Sequence, residues 1–439
     1  MEDLDKFFAL LYSGLILLNA CVIRYLVGSW VFPACLFLLF WFFMTFFPLV
    51  VIWNAPVNPL VVGFIALLLF FFSFSSLFFD WRSAYKISND LKSGVKFFES
   101  KFLHIVFYMC AICSILFVFL QVLSVGFTLR DLVFNFFDVA SGYATKRYAG
   151  DLDNGIYSKS SLSFAYLSVL VGGLIYSVRD TKIYRMLILG VAFLPSILVM
   201  VFQSSKGLFF LSIALFFGSV LVSRFFSDRV FLLDKKSLFF AIKAALVAFP
   251  LVVISFLSRG LYNESADYAI NRVLRYLYSY SSGHLYAFSD WFSNYVGDRS
   301  VLSYKDVPLT YGFYTFASFF RFAGDDRVVP MGTYDEYYDY NDQVVSNIFT
   351  MFRGLITDFG FFGSLVAFAV FGLFVNLVFY VFLRSRKPVF TTALFVFFVG
   401  FFYMSYIISF LTWAIIPFVF VLFSIVLVVN KILGGRSYG

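Results

Sequence analysis

Residues 360–383 read GFFGSLVAFAVFGLFVNLVFYVFL, an uninterrupted apolar run without a charged side chain. A helix needs about 20 such residues to cross the hydrocarbon core of a bilayer. The whole chain of 439 residues has this character, with 62% hydrophobic residues, 67 phenylalanines and only 13% charged residues. Because water-soluble domains do not have this composition, the sequence predicts an integral membrane protein.

Similar apolar runs recur along the chain. They lie at 7–24, 29–52, 60–79, 102–127, 160–177, 186–202, 208–222, 238–257, 360–383, 390–409 and 412–430. The predicted fold is an all-α polytopic membrane protein with about 11 transmembrane helices. We expect helices 1–8 in residues 1–257, a large outer loop with an amphipathic helix in 258–350, and helices 9–11 in 351–439.

Charge in the connecting loops predicts the sidedness of the protein. Four loops are short and net basic, namely 80–101, 178–185, 223–237 and 384–388. The positive-inside rule places these loops in the cytoplasm, and alternation then puts the N-terminus and segment 258–350 on the outer side. Segment 258–350 has seven Lys or Arg and eleven Asp or Glu residues, which agrees with an outer location.

Within this segment, residues 267–291 have the apolar spacing of an amphipathic helix. Arg272 and Arg275 fall beside the apolar stripe, as expected for a helix that lies at the membrane surface with basic residues near head groups. The acidic residues 333–342 are typical of an exposed loop tip.

Basic residues on the predicted outer side are unexpected under the positive-inside rule, and several lie near predicted span ends. They are Lys206, Arg259, Arg272, Arg275, Arg321 and Arg353. If the fold gathers them, they suit a diphosphate, since arginine pairs with phosphate oxygens through two parallel hydrogen bonds and lysine adds a point charge. The alternative for each residue is contact with lipid head groups or with a nearby acid.

Three residues are candidates for proton transfer. Asp358 lies in TDFGFFG at the start of a span, where an ionisable group is costly and therefore functional by default. The equally weighted alternative is a helix cap, with Gly360 allowing the turn. His284 is the only histidine of segment 258–350 and could act as a base near neutral pH. Asp290 is a further base candidate, and for His284 the alternative is an interfacial polar residue.

Aromatic residues of segment 258–350 offer flat faces on which sugar rings stack. Tyr311 and Tyr314 are the first candidates, with Asn347 and Thr350 as hydrogen-bond partners of sugar hydroxyls. The other tyrosines that could supply such faces are Tyr304, Tyr334, Tyr337, Tyr338 and Tyr340. The alternative is an ordinary aromatic belt at the membrane interface. We expect no metal and no cofactor, because the chain has no metal-ligand motif and no nucleotide-binding loop.

Five segments, taken in order, carry a family resemblance. They are QSSKG (203–207), SRG (258–260), RYLYSYSSGHLYAFSDWF (275–292), YGFYTFASFFR (311–321) and SNIFTMFRGLITDFGFFGS (346–364). In this order they resemble the Wzy-type O-antigen polymerases, which join oligosaccharide repeat units in bacteria. The resemblance covers Lys206 to Gly363, and this chain has Lys206 where many relatives have arginine.

The resemblance implies an enzyme of the bacterial inner membrane with a GT-C-like glycosyltransferase fold and an active site that faces the periplasm. It would transfer a growing glycan from undecaprenyl diphosphate to the non-reducing end of a new lipid-linked unit, without metal or cofactor. The implied partners are undecaprenyl-diphosphate-linked oligosaccharides, the lipid bilayer and a chain-length regulator protein, but no nucleic acid.

Two other functions fit parts of the sequence. An O-antigen ligase-type transferase would use the same donor with a different acceptor. A flippase for lipid-linked oligosaccharides is expected to show two similar halves and small loops, whereas this chain has no repeat and one long outer segment.

Overall fold

The computed structural model describes residues 2–92, 95–148, 155–178, 181–203, 206–226, 249–250, 252–257, 261, 265–298, 300–304, 308–327 and 334–435. These residues are almost entirely helical. In chain order the helices are α1 (Glu2–Val27), α2 (Pro33–Val51), α3 (Pro59–Phe74), α4 (Trp81–Lys92), α5 (Lys101–Ser124), α6 (Leu129–Phe134), α7 (Phe136–Tyr148), α8 (Ile156–Tyr176), α9 (Lys182–Gln203), α10 (Lys206–Arg224), α11 (Ala266–Val296), α12 (Phe313–Phe322), α13 (Thr350–Leu383), α14 (Phe390–Met404) and α15 (Ile415–Gly435).

Nine helices in the described part of the chain are long and apolar enough to cross a membrane, which indicates a multi-pass membrane protein. They are α1, α2, α3 with the turn that follows it, α5, α8, α9, α10, α13 and α15. Helix α14 is apolar but shorter, and it occupies the predicted run 390–409. The predicted span 238–257 lies largely outside the described residues.

Local signals explain where these helices begin. Pro59 stands at the first position of α3, and the Asn58 side chain accepts a hydrogen bond from the Leu60 amide. Ser100 caps α5 in the same way through the Leu103 amide. Beyond the caps, burial of the backbone in lipid requires that every amide be satisfied within the helix, so long apolar runs become helices.

The chain divides into two compact units. Unit 1 comprises Met1–Ile87, Leu274–Arg384 and Phe398–Pro417, and unit 2 comprises Ser88–Val273, Ser385–Phe397 and Phe418–Gly439.

In unit 1, helices α1, α2, α3 and α13 pack together. A Cβ atom on Gly372 of α13 would stand 2.1 Å from the carbonyl oxygen of Phe72, so the two backbones are in direct contact there. Beside this contact, the Asn376 amide donates to the Ser75 hydroxyl at 2.8 Å. The missing side chain at Gly372 thus lets α3 and α13 approach closely, as small residues do between membrane helices.

Polar contacts in unit 1 show that several distant segments lie on the same side of its helices. The ammonium of Lys6, at the start of α1, donates to the Ala55 carbonyl after α2 and to the Tyr286 hydroxyl of α11. The Tyr340 hydroxyl donates to the Asn54 carbonyl at 2.7 Å. The start of α1 therefore lies on the same side of unit 1 as Tyr286 and Tyr340. Which side of the membrane this is stays a prediction.

In unit 2, helices α5, α8, α9 and α10 pack together. A Cβ atom on Gly173 of α8 would lie 2.5 Å from the Phe216 carbonyl oxygen of α10, so this pair also depends on a glycine. His104 of α5 is hydrogen-bonded to the Tyr184 hydroxyl of α9 at 2.9 Å.

Two parts of segment 258–350 differ from expectation. The helix expected over 267–291 is present as α11, but residues 282–293 are all buried inside unit 1. The exposed positions that a surface helix requires lie before this buried stretch and at the last residues of α11. Part of the predicted loop tip, β1 (Tyr338–Tyr340), forms an antiparallel hairpin with the following β2 (Val344–Ser346), in which Tyr338 and Val344 are buried.

Candidate functional site

Arg353, one turn into α13, is the most unusual charged residue of unit 1. Its side chain is buried, and four aromatic rings surround the guanidinium group. The guanidinium carbon lies 3.7, 4.3, 5.3 and 5.4 Å from the ring centres of Tyr334, Phe349, Tyr304 and Trp291. We call these four residues the arginine cage. A cation over desolvated aromatic faces gains about 2 kcal/mol or more.

The hydrogen bonds of Arg353 are incomplete. Its Nη2 donates to the Oε1 of Glu336 at 3.0 Å. Its Nη1 is buried and has no hydrogen-bond partner among the described residues. A buried donor without an acceptor costs about 1–3 kcal/mol, and proteins normally avoid it. The Nη1 atom can therefore hold an oxygen of a ligand.

Three local features position this arginine. Thr350 adopts a positive φ of 63°, and its hydroxyl accepts a hydrogen bond from the Phe352 amide. The Met351 amide donates to the Ser405 carbonyl at 2.9 Å, which fixes the first turn of α13. Gly354 has no side chain, and a Cβ atom there would lie 3.0 Å from the Cβ of Tyr314. Tyr314 can thus stack on the cage residue Tyr334, with ring centres 5.7 Å apart.

Asp358, one turn further along α13, caps a different helix. Its Oδ1 accepts hydrogen bonds from the Thr310 hydroxyl and the Tyr314 amide, and its Oδ2 accepts them from the Thr315 amide and hydroxyl. The two amides lie in the first turn of α12, where a carboxylate is favourable. These four donors occupy the carboxylate, and Thr310, Tyr314 and Thr315 supply all of them. Its role as a base stays a prediction.

Asp290 holds the loop that carries a cage residue. Its carboxylate accepts hydrogen bonds from the Val301 and Leu302 amides and from the Tyr304 hydroxyl at 2.9 Å. Burial, and after it the charge of Asp290, raise the pKa of Tyr304, so its hydroxyl stays protonated. The geometry gives Asp290 a positioning contact with the cage, whereas its predicted catalytic role stays untested.

His284 lies within the packing of α11 against α2. Its Nε2 is hydrogen-bonded to the Met44 carbonyl at 2.9 Å, and its ring contacts Tyr406 edge to face. Burial lowers the pKa of His284 to about 4, against a smaller opposing effect of the Met44 carbonyl. A neutral imidazole in this position is a weak base at neutral pH. The catalytic role predicted for His284 has no support from this environment.

The other predicted cations have separate surroundings. In unit 1, Arg275 pairs with Asp342 at 2.6 Å, and Arg321 is exposed in the last turn of α12. In unit 2, the ammonium of Lys206 lies over the Phe256 ring at 3.8 Å and donates to the Ser255 carbonyl. Arg272 is half-buried on α11. Arg259 lies outside the described residues, so the convergence of the six cations stays a prediction.

The residues predicted to contact a glycan also differ in burial and in their neighbours. Tyr314 reaches the arginine cage through Tyr334, and Asn347 is half-buried between β2 and α13. Tyr311 is exposed, with its ring on the surface of unit 1. Thr350 is buried, and its hydroxyl accepts a hydrogen bond from the Phe352 amide in the first turn of α13.

Glu336, Phe349 and Trp291 belong to the site but were not among the predicted site residues. Glu336 reaches Arg353 because the hairpin formed by β1 and β2 returns the chain to α13. Asn341 and Asp342 both adopt positive φ in the hairpin turn, a conformation that these two residue types tolerate. This Asn–Asp pair was the one sequence signal of the hairpin.

Comparisons of the chain with family models, with curated proteins and with solved structures found no match.

Proposed function

We propose that this protein polymerises lipid-linked oligosaccharide repeat units, as its resemblance to the Wzy-type polymerases implies. The observation that supports the proposal is Arg353, a buried cation enclosed by aromatic rings and flanked by a carboxylate, with one donor that no described residue accepts from. A diphosphate with a sugar attached offers the two things this site can bind, namely anionic oxygens and a pyranose ring face.

The chemistry of such a donor fits the groups present. In the reaction, a hydroxyl oxygen of the acceptor sugar forms a bond to the anomeric carbon, and the bond from that carbon to the diphosphate oxygen breaks. The bonding pair leaves with undecaprenyl diphosphate, so negative charge grows on the diphosphate. A fixed donor such as the Nη1 of Arg353, held away from water, stabilises this charge.

The acceptor hydroxyl must lose its proton, and Glu336 is the carboxylate best placed to receive it. Its Oε1 contacts Arg353, and its side chain is 31% exposed, so an acceptor can approach it. Asp358 is fully buried with four donors on its oxygens, and Asp290 already accepts three hydrogen bonds. We therefore assign proton transfer to Glu336 within this proposal.

The proposed setting is the bacterial inner membrane, with the cage on the periplasmic side. Nine apolar helices in the part of the chain that the structure describes support a membrane location. The donor's prenyl tail stays in lipid while its head group reaches the cage. Because the donor already carries a good leaving group, the lipid diphosphate, no nucleotide is needed as an energy source.

Turnover of purified lipid-linked repeat units in nanodiscs tests this proposal. Arg353→Ala should lower the rate of polymer formation about 100-fold, the effect expected for one transition-state donor. Arg353→Lys should recover little, since lysine offers no fork of donors within the cage. The matched control is Arg384→Ala, because Arg384 also lies over a tyrosine ring, Tyr380, but is exposed at the other end of α13.

Glu336→Gln separates the two assigned roles. It keeps the size of the side chain and its oxygen acceptor for Arg353 but cannot take a proton at neutral pH. We expect substrate binding to persist while turnover falls. Full chain-length output from Arg353→Ala would overturn the proposed function, and full output from Glu336→Gln alone would remove only the assignment of the base.

A further inference from the structure

The short helix α12 carries an aromatic face that no described residue covers. Phe316, Phe319 and Phe322 are 40%, 49% and 64% exposed. Phe319 and Phe322 are three residues apart and therefore lie along one side of the helix, and Phe316 lies at a kink just before them, where the backbone departs from helical geometry. The opposite side, with Phe313, Ala317 and Ser318, is buried.

Hydrogen bonds fix this orientation of α12. Asp358 holds the first turn through the Tyr314 and Thr315 amides. The Ser409 hydroxyl donates to the Thr315 carbonyl at 2.6 Å, and the Thr412 hydroxyl donates to the Tyr314 carbonyl at 3.3 Å. Helix α12 therefore cannot roll its aromatic face inward without breaking these buried contacts, so the exposure is built into unit 1.

The aromatic face adjoins a surface that belongs in lipid. Beyond Gly360, α13 is an apolar helix long enough to cross a membrane, and Phe362, Val366 and Val370 form its exposed stripe. At the start of this stripe, Leu309 lies 3.9 Å from where a Cβ atom of Gly360 would stand. Such a run of exposed apolar side chains on a membrane-spanning helix faces the bilayer.

The aromatic face of α12 begins close to the residues that precede the exposed stripe of α13. A Cβ atom on Gly312, the residue before α12, would lie 3.3 Å from the Phe316 ring and 3.5 Å from the Phe359 ring. Helix α12 has ten residues and is therefore about 15 Å long. Its whole aromatic face thus stays within about 15 Å of the point where α13 enters its membrane-spanning part.

We propose that α12 is an interfacial helix whose aromatic face, Phe316, Phe319 and Phe322, lies against the acyl chains of the surrounding lipid. Interfacial helices bury phenylalanine, tryptophan and leucine side chains at the boundary between head groups and acyl chains. Arg321 is exposed in the last turn of α12, where its long side chain can reach lipid phosphates while its stem stays with the rings. Since Asp358 joins α12 to α13, this contact holds the arginine cage at the level of the head groups.

Photo-crosslinking from single positions of the full chain tests the proposal. Benzoylphenylalanine replaces Phe319 and the protein is reconstituted in nanodiscs of phosphatidylethanolamine and phosphatidylglycerol. We expect a mass increase equal to one phospholipid after illumination. The replacement is nearly isosteric and lies on the surface, so it leaves the buried contacts of α12 in place.

Two positions of unit 1 serve as controls. Benzoylphenylalanine at Phe362, on the lipid-facing stripe of α13, should give lipid adducts. At Tyr337, which is exposed between the acidic residues Asp335 and Asp339, it should give none. Adduct formation at 319 equal to that at 362 supports the proposal. Adducts at 319 as scarce as those at 337, or a covalent dimer of the chain formed from 319, would overturn it.

Discussion

Arg353 and Glu336 are a pair that no helical spacing connects. Glu336 lies 17 residues before Arg353, in a stretch whose composition is typical of an exposed loop. Their contact exists because a hairpin turns the chain back onto α13. A buried arginine that keeps one free donor is costly, and this cost makes it the strongest candidate for ligand binding in the described part of unit 1.

Asp358 caps α12 and links it to α13. Its substitution should therefore lower the stability of unit 1. The carboxylate accepts four hydrogen bonds from Thr310, Tyr314 and Thr315. Asp358→Asn places an amide group against at least one of these donors and should destabilise unit 1 by about 2–3 kcal/mol. The measurement is the thermal melting midpoint of the protein in detergent, followed by size-exclusion chromatography.

Asp335→Asn is the control for that substitution, since Asp335 is exposed two residues before Tyr337. It should leave the melting midpoint unchanged. If Asp358→Asn and the wild type had equal melting midpoints, the carboxylate would not stabilise the contact between α12 and α13.

Helix α13 is two helical segments joined at Gly360. This residue has φ 67° and ψ −178°, a conformation that side chains other than glycine's strongly disfavour. The Ser364 hydroxyl donates to the Gly360 carbonyl at 2.6 Å, which satisfies a group that the kink releases from the regular helix pattern. The segment before the kink carries Arg353 and Asp358, and the segment after it spans the membrane.

A substitution at this kink should separate backbone strain from packing. Gly360→Ala adds a methyl group whose nearest neighbour, Leu309, is 3.9 Å away, so there is room for it. The disallowed φ and ψ should still cost about 1–3 kcal/mol and lower the melting midpoint. Gly190→Ala is the matched control, because Gly190 lies in α9 with open space around it, and alanine favours a helix by up to about 1 kcal/mol. If the melting midpoint of Gly360→Ala were as high as that of Gly190→Ala, the backbone at Gly360 would not require glycine.

At the scale of the whole molecule, sidedness decides what the cage can meet. The contacts of Lys6 with Tyr286 and of Tyr340 with Asn54 place the start of α1 and these two tyrosines on one side of unit 1. The basic residues Arg384, Arg386 and Lys387 follow the far end of α13, where the positive-inside rule predicts cytoplasm. The proposed reaction requires the cage to face away from the cytoplasm.

Labelling of single cysteines tests this arrangement in intact cells. Tyr337→Cys should react with a membrane-impermeant maleimide, whereas Arg386→Cys should react only after the cells are opened. Both positions are exposed, so a difference reports the side of the membrane. The wild type, with its four native cysteines, gives the background. The reverse pattern would place the cage in the cytoplasm and exclude the proposed donor.

Local sequence patterns were enough to predict that this chain forms apolar helices and where most of them lie. Hydropathy and caps are local, and a backbone in lipid has to satisfy its own amides, so runs such as 102–127 and 186–202 became α5 and α9 with shifts of a few residues. The turn at Gly360 was also predictable from the sequence, because a glycine beside an interfacial aspartate favours a turn.

Which side chains contact each other depended on how distant segments of the chain pack together. Asp358 was predicted to be a cap or a base, but the helix that it caps begins more than 40 residues earlier in the chain. The buried half of α11, the Lys6 contacts and the pairing of Glu336 with Arg353 likewise join distant segments. A side chain's partner depends on which elements pack together, and the pattern of neighbouring residues does not contain that information.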